Sequence, residues 1–220
     1  MCLIVSDVTS DTSTGMPSRG RPVLTDVENR VLDAVLECSR RWGFTRMTID
    51  DIVESSGVSR ATVYRMFPGG KDVLFEALRV RELAAFFSAL EAELIDAVDL
   101  EEVLVRSLVT ATRRLRDDEH LAVMLASEPG ETLSDLTVDG LPRIIRMASE
   151  TLAPWVAPHL DPEAARTLID VLVRLTISYF LAPSDHADLA DPERARSLLA
   201  PMLAALGTHQ PDTHPDRRMR

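Results

Sequence analysis

The densest group of side chains able to recognise another molecule lies in the range 47–67. Four residues there would share one exposed face of a helix, because they are spaced i, i+1, i+4 and i+5: Arg60, Ala61, Tyr64 and Arg65. A guanidinium can pair in a bidentate way with guanine, and such a helix fits a major groove about 12 Å wide. The spacing favours a DNA-reading helix over the alternative, an ordinary helical hairpin with solvated polar residues.

The residues around this face indicate a helix-turn-helix. Thr48 and Asp51 have the spacing of a capping box, which would begin a short helix. Gly57 supplies a turn, and Ser59 caps a second helix of about two turns. Because so short a helix is unstable alone, neighbouring side chains must hold it. We expect this support from apolar packing among Ile49, Ile52, Val58, Val63 and Phe67.

Several short motifs between Glu28 and Leu78 occur in register with one known family. They are Gly43-Phe44, Met47-Thr48-Ile49-x-Asp51-Ile52, Ser56-Gly57-Val58-Ser59, Thr62-Val63-Tyr64 with Phe67, and Lys71-Asp72-x-Leu74. On these residues the chain resembles the N-terminal domain of the TetR family of bacterial transcriptional regulators. The motif resemblance covers about a quarter of the chain, and the remainder agrees only in length and helical character.

The resemblance implies DNA contacts for eight residues. Thr48, at the start of the second helix, and Tyr64 would contact phosphate. The front of the recognition helix, where base edges are met, is formed by Ser59, Arg60, Ala61 and Thr62. Arg60 is the first candidate for direct base readout, and Arg65 would contact phosphate or a base. Lys71 would contact phosphate, although the loop before it is one residue longer than the commonest family form.

Helix signals dominate the whole chain and strand signals are nearly absent, so we predict an all-α fold. Caps predict helices after Thr25, Asp99, Asp161 and Asp191, and one long helix is expected from Lys71 to about Ile95. We divide the chain into a disordered N-terminal arm (1–22), a three-helix helix-turn-helix DNA-binding domain (23–75), a helical effector-binding and dimerisation domain (76–207) and a disordered tail (208–220).

The composition is that of an ordinary globular protein. The 220-residue chain is 45% hydrophobic and 27% charged, and its apolar runs are far shorter than the ~20 residues that span a bilayer. Cys2 and Cys38 do not form a disulfide framework. We therefore expect a cytoplasmic protein with no membrane association, whose translation starts at either Met1 or Met16.

The net charge of −11 argues against a uniformly basic nucleic-acid binder, but the charge is unevenly distributed. Residues 1–81 carry eleven basic and eleven acidic side chains, so the negative excess lies in the remainder. Phosphate contacts act within a Debye length of about 8–10 Å, and a neutral first third can still present a basic face. The segment Arg19-Gly20-Arg21-Pro22 is either a minor-groove arm or a flexible tail.

For the C-terminal two-thirds, the resemblance implies a small effector of unknown identity and a homodimer. The last two helices would pair with those of the partner, which fits the apolar runs 168–181 and 198–206, and Arg174 four residues after Asp170 predicts a salt bridge there. Pro201 should kink or split the last helix. The effector pocket would lie among residues 82–181, with candidate lining residues Phe86, Phe87, Leu104, Leu108, Thr112, Met124, Ile145, Trp155 and Tyr179.

No constellation of residues predicts an enzyme, a cofactor or a metal site. The five histidines are scattered, and no glycine-rich phosphate loop follows a strand. The main prediction is a ligand-responsive repressor that binds a palindromic DNA operator as a dimer. Two alternatives stay open: a small helical enzyme with a vestigial DNA-binding hairpin, and a helical adaptor whose core between residues 82 and 181 has no pocket.

Overall fold

The computed structural model describes residues 24–127, 129–184 and 187–207, and within them every regular element is helical. The helices are α1 (Asp26–Arg46), α2 (Ile49–Ser56), α3 (Arg60–Met66), α4 (Lys71–Leu94), α5 (Leu100–Asp117), α6 (Glu119–Ser127), α7 (Pro129–Thr137), α8 (Leu141–Val156), α9 (Pro162–Leu181) and α10 (Pro192–Gly207). The all-α prediction is confirmed, and the long helix expected from Lys71 is α4. The predicted arm with Met16 and Arg19–Pro22, and the tail at 208–220, lie outside the described residues.

Side-chain caps begin the helices at the predicted residues. Before α1, the amide of Glu28 donates to Oγ1 of Thr25 at 3.3 Å, and the amide of Thr25 donates to the Glu28 carboxylate at 2.7 Å. This completes a capping box. Asp99 and Asp161 accept amide hydrogen bonds at the starts of α5 and α9. Because such bonds stabilise the charged carboxylate, the pKa values of Glu28 and Asp161 lie below their ordinary values.

Helices α1 to α3 and the first half of α4 enclose the first of three apolar cores. Leu32, Ile52, Val63 and Leu74 contribute one buried side chain from each of the four helices. The seven-residue α3 is held mainly through Val63 and through Phe67, which follows it, and both are at most 5% exposed. The packing that the sequence predicts for the short helix is confirmed, since it is too short to persist without these contacts.

Helix α4 belongs to two cores at once. Leu74 and Leu78 lie in the first core, whereas Phe87, Leu90 and Leu94 lie in a second core shared with α5, α8 and α9. With 24 residues, α4 is about 36 Å long. The domain division at residue 76 remains a prediction, because α4 is continuous across that position.

Helix α5 is the central helix of the C-terminal region. It contacts α4, α6, α8, α9 and α10, and eight of its 18 residues are buried. Leu104 and Leu108 contribute to a third core with Leu172 of α9 and Leu199 of α10. None of the helices in the described ranges has the length and hydropathy that a membrane span requires.

The last helix runs unbroken from Pro192 to Gly207 with Pro201 inside it. The sequence predicts that Pro201 kinks or splits this helix, and the helix is not split. Ala195 and Leu199 are fully buried against the third core, so packing holds the helix across the hydrogen bond that proline cannot make. The predicted pair of Arg174 with Asp170 is present at 2.8 Å.

His120 of α6 packs against the end of α1. Its ring centroid lies 5.5 Å from that of Phe44, and its Nδ1 lies 3.4 Å from Oγ of Ser39. Helix α6 therefore contacts the DNA-binding domain predicted from the sequence as well as α5.

Replacing His120 with Gln is expected to flatten the pH dependence of stability between about pH 5 and 7. Burial lowers the pKa of His120, an effect that Asp118 and Glu82 oppose and Arg40 reinforces. The unfolded chain, with a histidine pKa of about 6.5, therefore binds a proton at a higher pH than the folded protein does. The contribution of neutral His120 to the free energy of unfolding is complete above that pH and is lost as the pH falls. Urea unfolding at several pH values measures it.

The matched control for this experiment is His159→Gln, because His159 is exposed after the end of α8. In this control the free energy of unfolding should depend on pH as it does in the native protein. If His120→Gln also shows the pH dependence of the native protein, His120 is not the group responsible for it.

Candidate nucleic-acid interface

One glycine and one cap set the turn between α2 and α3. Gly57 adopts the left-handed conformation (φ 64°, ψ 17°), and its amide donates to the Val53 carbonyl at 3.1 Å, which ends α2. Oγ of Ser59 then accepts from the amide of Thr62 at 3.3 Å and begins α3. A side chain at position 57 would meet no neighbouring atom, but the positive φ would strain it. The chain thus passes from α2 to α3 through a turn of three residues.

Six of the eight predicted DNA contacts lie together on the solvent side of α3. We call this surface the reading face; it consists of Ser59, Arg60, Ala61, Thr62, Tyr64 and Arg65. All but the half-buried Thr62 are exposed. Val63, which points inward, is 1% exposed. The arrangement has apolar anchors behind and hydrogen-bonding groups in front, as a helix entering a major groove requires.

Arg60 already has a partner on the protein. Its Nη1 donates to Oδ1 of Asp50 at 2.6 Å, and its guanidinium carbon lies 5.7 Å from the ring centroid of Tyr64. Tyr64 and Asp50 both raise the pKa of Arg60, so the guanidinium stays charged. The side chains of Arg60 and Asp50 are 57% and 73% exposed, so water screens the pair and holds it only weakly.

The other two predicted contacts, Thr48 and Lys71, make hydrogen bonds within the protein. The hydroxyl and the amide of Thr48 both donate to Oδ2 of Asp51, at 2.7 and 2.8 Å, and these bonds lower the pKa of Asp51. Nζ of Lys71 donates to the Thr45 carbonyl at 3.2 Å and lies 5.2 Å from the centroid of the Phe75 ring. Their phosphate contacts remain predictions. A donation from the Thr48 hydroxyl or amide to DNA requires a hydrogen bond to Asp51 to be exchanged, whereas the Lys71 ammonium has further donors for phosphate.

A cavity of about 420 Å³ lies among α4, α5, α6, α7, α8 and α9. Its volume falls within the range of about 300–1,000 Å³ that is typical of small-molecule sites. Apolar side chains form most of the wall, among them Leu83, Phe86, Phe87, Leu90, Met124 and Ile144. Phe44 of α1 also lines it, so the wall includes a residue from outside the C-terminal region.

Four of the nine predicted pocket residues line this cavity: Phe86, Phe87, Leu108 and Met124. The other five are not in its wall: Leu104, Thr112, Ile145, Trp155 and Tyr179. Leu104 and Thr112 are fully buried on α5. A central helix has several buried faces, and hydrophobic periodicity does not show which of them borders a void.

Two features of the reading face and the cavity could not be predicted from the sequence. The bond between Asp50 and Arg60 joins two helices across a turn, and nothing in the pattern of α2 marks Asp50 as its partner. Phe44 resembles a helix-ending residue in sequence, yet it reaches the cavity and packs on Phe75, with ring centroids 4.3 Å apart.

Comparison with known families agrees with this geometry. Residues 31–78 match the family model of bacterial regulatory proteins of the tetR family, and residues 84–201 match that of the bacterial tetracyclin repressor C-terminal domain. The chain belongs to the TetR family of bacterial transcriptional regulators. The first match contains all eight predicted DNA contacts, and the second contains most of the cavity wall.

Related proteins are also transcriptional regulators. An HTH-type regulator of Mycobacterium bovis is 31% identical over 103 residues, which are 47% of this chain and 52% of that protein, so the chain spans about half the length of the first relatives it matches. AlkX of Mycobacterium tuberculosis is 27% identical over 177 residues, 76% of this chain and 82% of AlkX.

Solved structures share the fold. The TetR family repressor AlkX from Dietzia superposes with a TM-score of 0.60 at 21% identity, covering 87% of this chain and 98% of AlkX. FadR from Bacillus subtilis, in complex with stearoyl-CoA, superposes with a TM-score of 0.51 at 17% identity, covering 78% of this chain and 96% of FadR.

Family membership decides between the functions that the sequence leaves open. TetR proteins are transcriptional regulators rather than enzymes, so the small helical enzyme is wrong. The helical adaptor requires a solid core between residues 82 and 181, whereas most of the cavity wall lies in that range.

Replacing Asp50 with Asn is expected to tighten binding to DNA of unrelated sequence by about two- to tenfold. The change releases Arg60 from a charged partner and removes a negative charge that would face phosphates. Fluorescence anisotropy with a duplex of arbitrary sequence at fixed salt measures the effect.

Asp96→Asn is the matched control, because it removes the same charge from an exposed position between α4 and α5. It should leave the affinity for DNA unchanged. If Asp50→Asn binds no more tightly than Asp96→Asn, the Asp50 carboxylate does not restrain the reading face.

Proposed function

We propose that the protein is a ligand-responsive repressor that binds a palindromic operator as a homodimer and leaves it when a small effector occupies the cavity. One observation carries this proposal: Phe44 of α1 forms part of the cavity wall, and α1 supports α2 and the reading face. An occupant of the cavity would contact both regions of the protein. The Dietzia relative is a repressor and the Bacillus subtilis FadR holds stearoyl-CoA, which supports this direction of regulation and a ligand in this fold.

Each subunit would place its reading face in one major groove. In a two-fold symmetric dimer, the two recognition helices would enter major grooves about 34–36 Å apart. Because the two halves of the dimer are equivalent, the operator would be palindromic. On this proposal Arg60 leaves Asp50 to pair with a base, and Tyr64 binds phosphate. Thr48 and Lys71 would add phosphate contacts on either side of the helix-turn-helix in sequence.

Apolar side chains on α9 and α10 support the dimer. Val171 and Leu175 are only half-buried within one subunit, lie outside the three cores and are four residues apart on α9, so they share one face. On α10, Leu198, Met202 and Leu203 are half-buried at the edge of the third core. A second copy of the chain would remove these surfaces from water, at about 25 cal/mol per Å² of apolar area.

Packed rings connect the cavity to the DNA-binding domain. Phe44 contacts His120 of α6 and Phe75 of α4, and Lys71 lies over the same Phe75 ring. An effector shifts the equilibrium between two arrangements only by its difference in affinity for them. A coupling of about 1–3 kcal/mol between effector and operator is enough for a useful switch.

Fluorescence anisotropy with DNA from upstream of the protein's own gene tests the proposal. We expect binding about 10³-fold tighter than to a shuffled duplex at the same salt concentration. Arg60→Ala should reduce this preference by about ten- to a hundredfold, since it removes one base-reading side chain. Arg166→Ala, which removes an exposed arginine from α9, should not change it.

Two results would count against this assignment. If Arg60→Ala prefers the upstream DNA over the shuffled duplex as strongly as the native protein does, Arg60 does not read a base. If the native protein prefers no sequence, either upstream of its gene or in a genome-wide selection, the operator proposal is wrong.

Leu175→Glu is expected to convert the dimer into monomers, because a carboxylate without a partner is unfavourable in an apolar interface. Sedimentation velocity gives the mass, and circular dichroism checks that the helices persist. Arg166→Glu introduces the same side chain at an exposed position of α9 and should stay dimeric. A native monomer, or a dimeric Leu175→Glu, would exclude this interface.

A further inference from the structure

The cavity has an apolar interior and an acidic rim. Among the described residues that line it, five are carboxylates and two are arginines: Glu76, Glu82, Asp118, Asp135, Asp139, Arg79 and Arg143. All seven are at least partly exposed, so they lie where the cavity meets solvent. His120 also lines the wall, and since burial lowers its pKa it adds no positive charge at neutral pH. The wall therefore carries a clear excess of negative charge.

Both arginines of the wall are already paired across helices. Arg79 of α4 lies 2.8 Å from Asp135 of α7, and Arg143 of α8 lies 2.6 Å from Glu76 of α4. An anionic ligand would have to draw an arginine away from its carboxylate. The carboxylate left behind would then face the like charge of the ligand, which is unfavourable.

Two carboxylates of the rim, Asp118 and Asp139, have no cationic partner in the part of the chain that the structure describes. Asp118 accepts from the amide of Leu121 at 2.9 Å, and Asp139 accepts from Oγ of Ser134 at 2.6 Å. Within the described ranges, neither forms an ion pair with an arginine or a lysine. A positive group at the rim would be attracted by both, whereas a negative group would be repelled.

Aromatic rings also line the cavity. The rings of Phe86 and Phe87 pack edge to face with centroids 5.3 Å apart, and Phe44 is a third ring in the wall. The face of an aromatic ring attracts cations, and the rest of the wall suits a hydrocarbon body.

We infer that the effector is a lipophilic cation, a mainly apolar molecule with one positive charge, such as an alkylammonium. This inference rests on the proposed function, because it names the chemical class of the effector that the cavity takes. The apolar body would occupy the space between α4, α5 and α8, and the charge would lie near Asp118 and Asp139.

Three probes with hydrocarbon tails of nearly equal length test this inference by isothermal titration calorimetry, at concentrations where no micelles form. They are dodecyltrimethylammonium, dodecanoate and 1-dodecanol, whose head groups are positive, negative and neutral. We expect the cation to bind about tenfold or more tightly than the anion, and more tightly than the alcohol. If the anion or the alcohol binds as tightly as the cation, or if none of the three binds, the inference is overturned.

The double variant Asp118→Asn, Asp139→Asn tests the two unpaired carboxylates. Asparagine still accepts a hydrogen bond at each position, so the fold should persist, which thermal melting checks. Affinity for the cation should fall about fivefold or more, and affinity for the alcohol should not change. Asp96→Asn with Glu150→Gln removes the same charge outside the cavity wall and is the control. An equal loss in the control would overturn the assignment to the rim.

Operator binding is also measured without any probe, so that failure of the proposed function can be distinguished from failure of the inference about the effector. Absence of sequence-specific DNA binding would overturn the proposed function while leaving the calorimetric order of the probes valid. Specific DNA binding together with tighter binding of the anion would leave the repressor in place and reject the cationic effector. Release of bound operator by the cation, and not by dodecanoate at the same concentration, supports both.

Discussion

The whole structure depends on one helix that serves two hydrophobic cores. The first half of α4 buries Leu74 and Leu78 among the helices of the DNA-binding domain, and its second half buries Phe87, Leu90 and Leu94 among those of the C-terminal region. An uninterrupted helix is stiff over this length, because each turn is tied to the next by backbone hydrogen bonds. A change in the packing of one half must therefore displace or strain the other.

The cavity borders α4 where the helix passes from the first core to the second, since Leu78, Phe87 and Leu90 all line it. Its wall includes Glu76 and Arg79 of α4, whose ion pairs reach α8 and α7. Phe44 brings the end of α1 to the same wall and rests on Phe75, so the ring contact bridges α1 and α4. An occupant of the cavity would thus contact α1 and α4, two of the helices whose shared core anchors α3, without any need to reach the reading face.

The reading face shows that an acidic protein can carry exposed cations together on one surface. Arg60 and Arg65 stand on a seven-residue helix whose stability comes from Val63 and Phe67 rather than from its own length. Asp50 forms an ion pair with Arg60, and the exposure of both side chains keeps that pair weak. The negative excess of the chain lies beyond residue 81, because residues 1–81 carry equal numbers of basic and acidic side chains.

The sequence by itself determined the helical class, the helix-turn-helix and the starts of α1 to α5, α9 and α10, because caps and turns depend on residues within about four positions of each other. It did not predict the starts of α6, α7 and α8. Thr25, Gly57 and Ser59 each act on their immediate neighbours, and all three are where the sequence indicates. Only the tertiary structure decided that Arg60 pairs with Asp50, that Phe44 reaches the cavity and which faces of α5 border it. Those relations join residues of different helices, and they are selected by the fit between helix faces that hydrophobic periodicity does not distinguish.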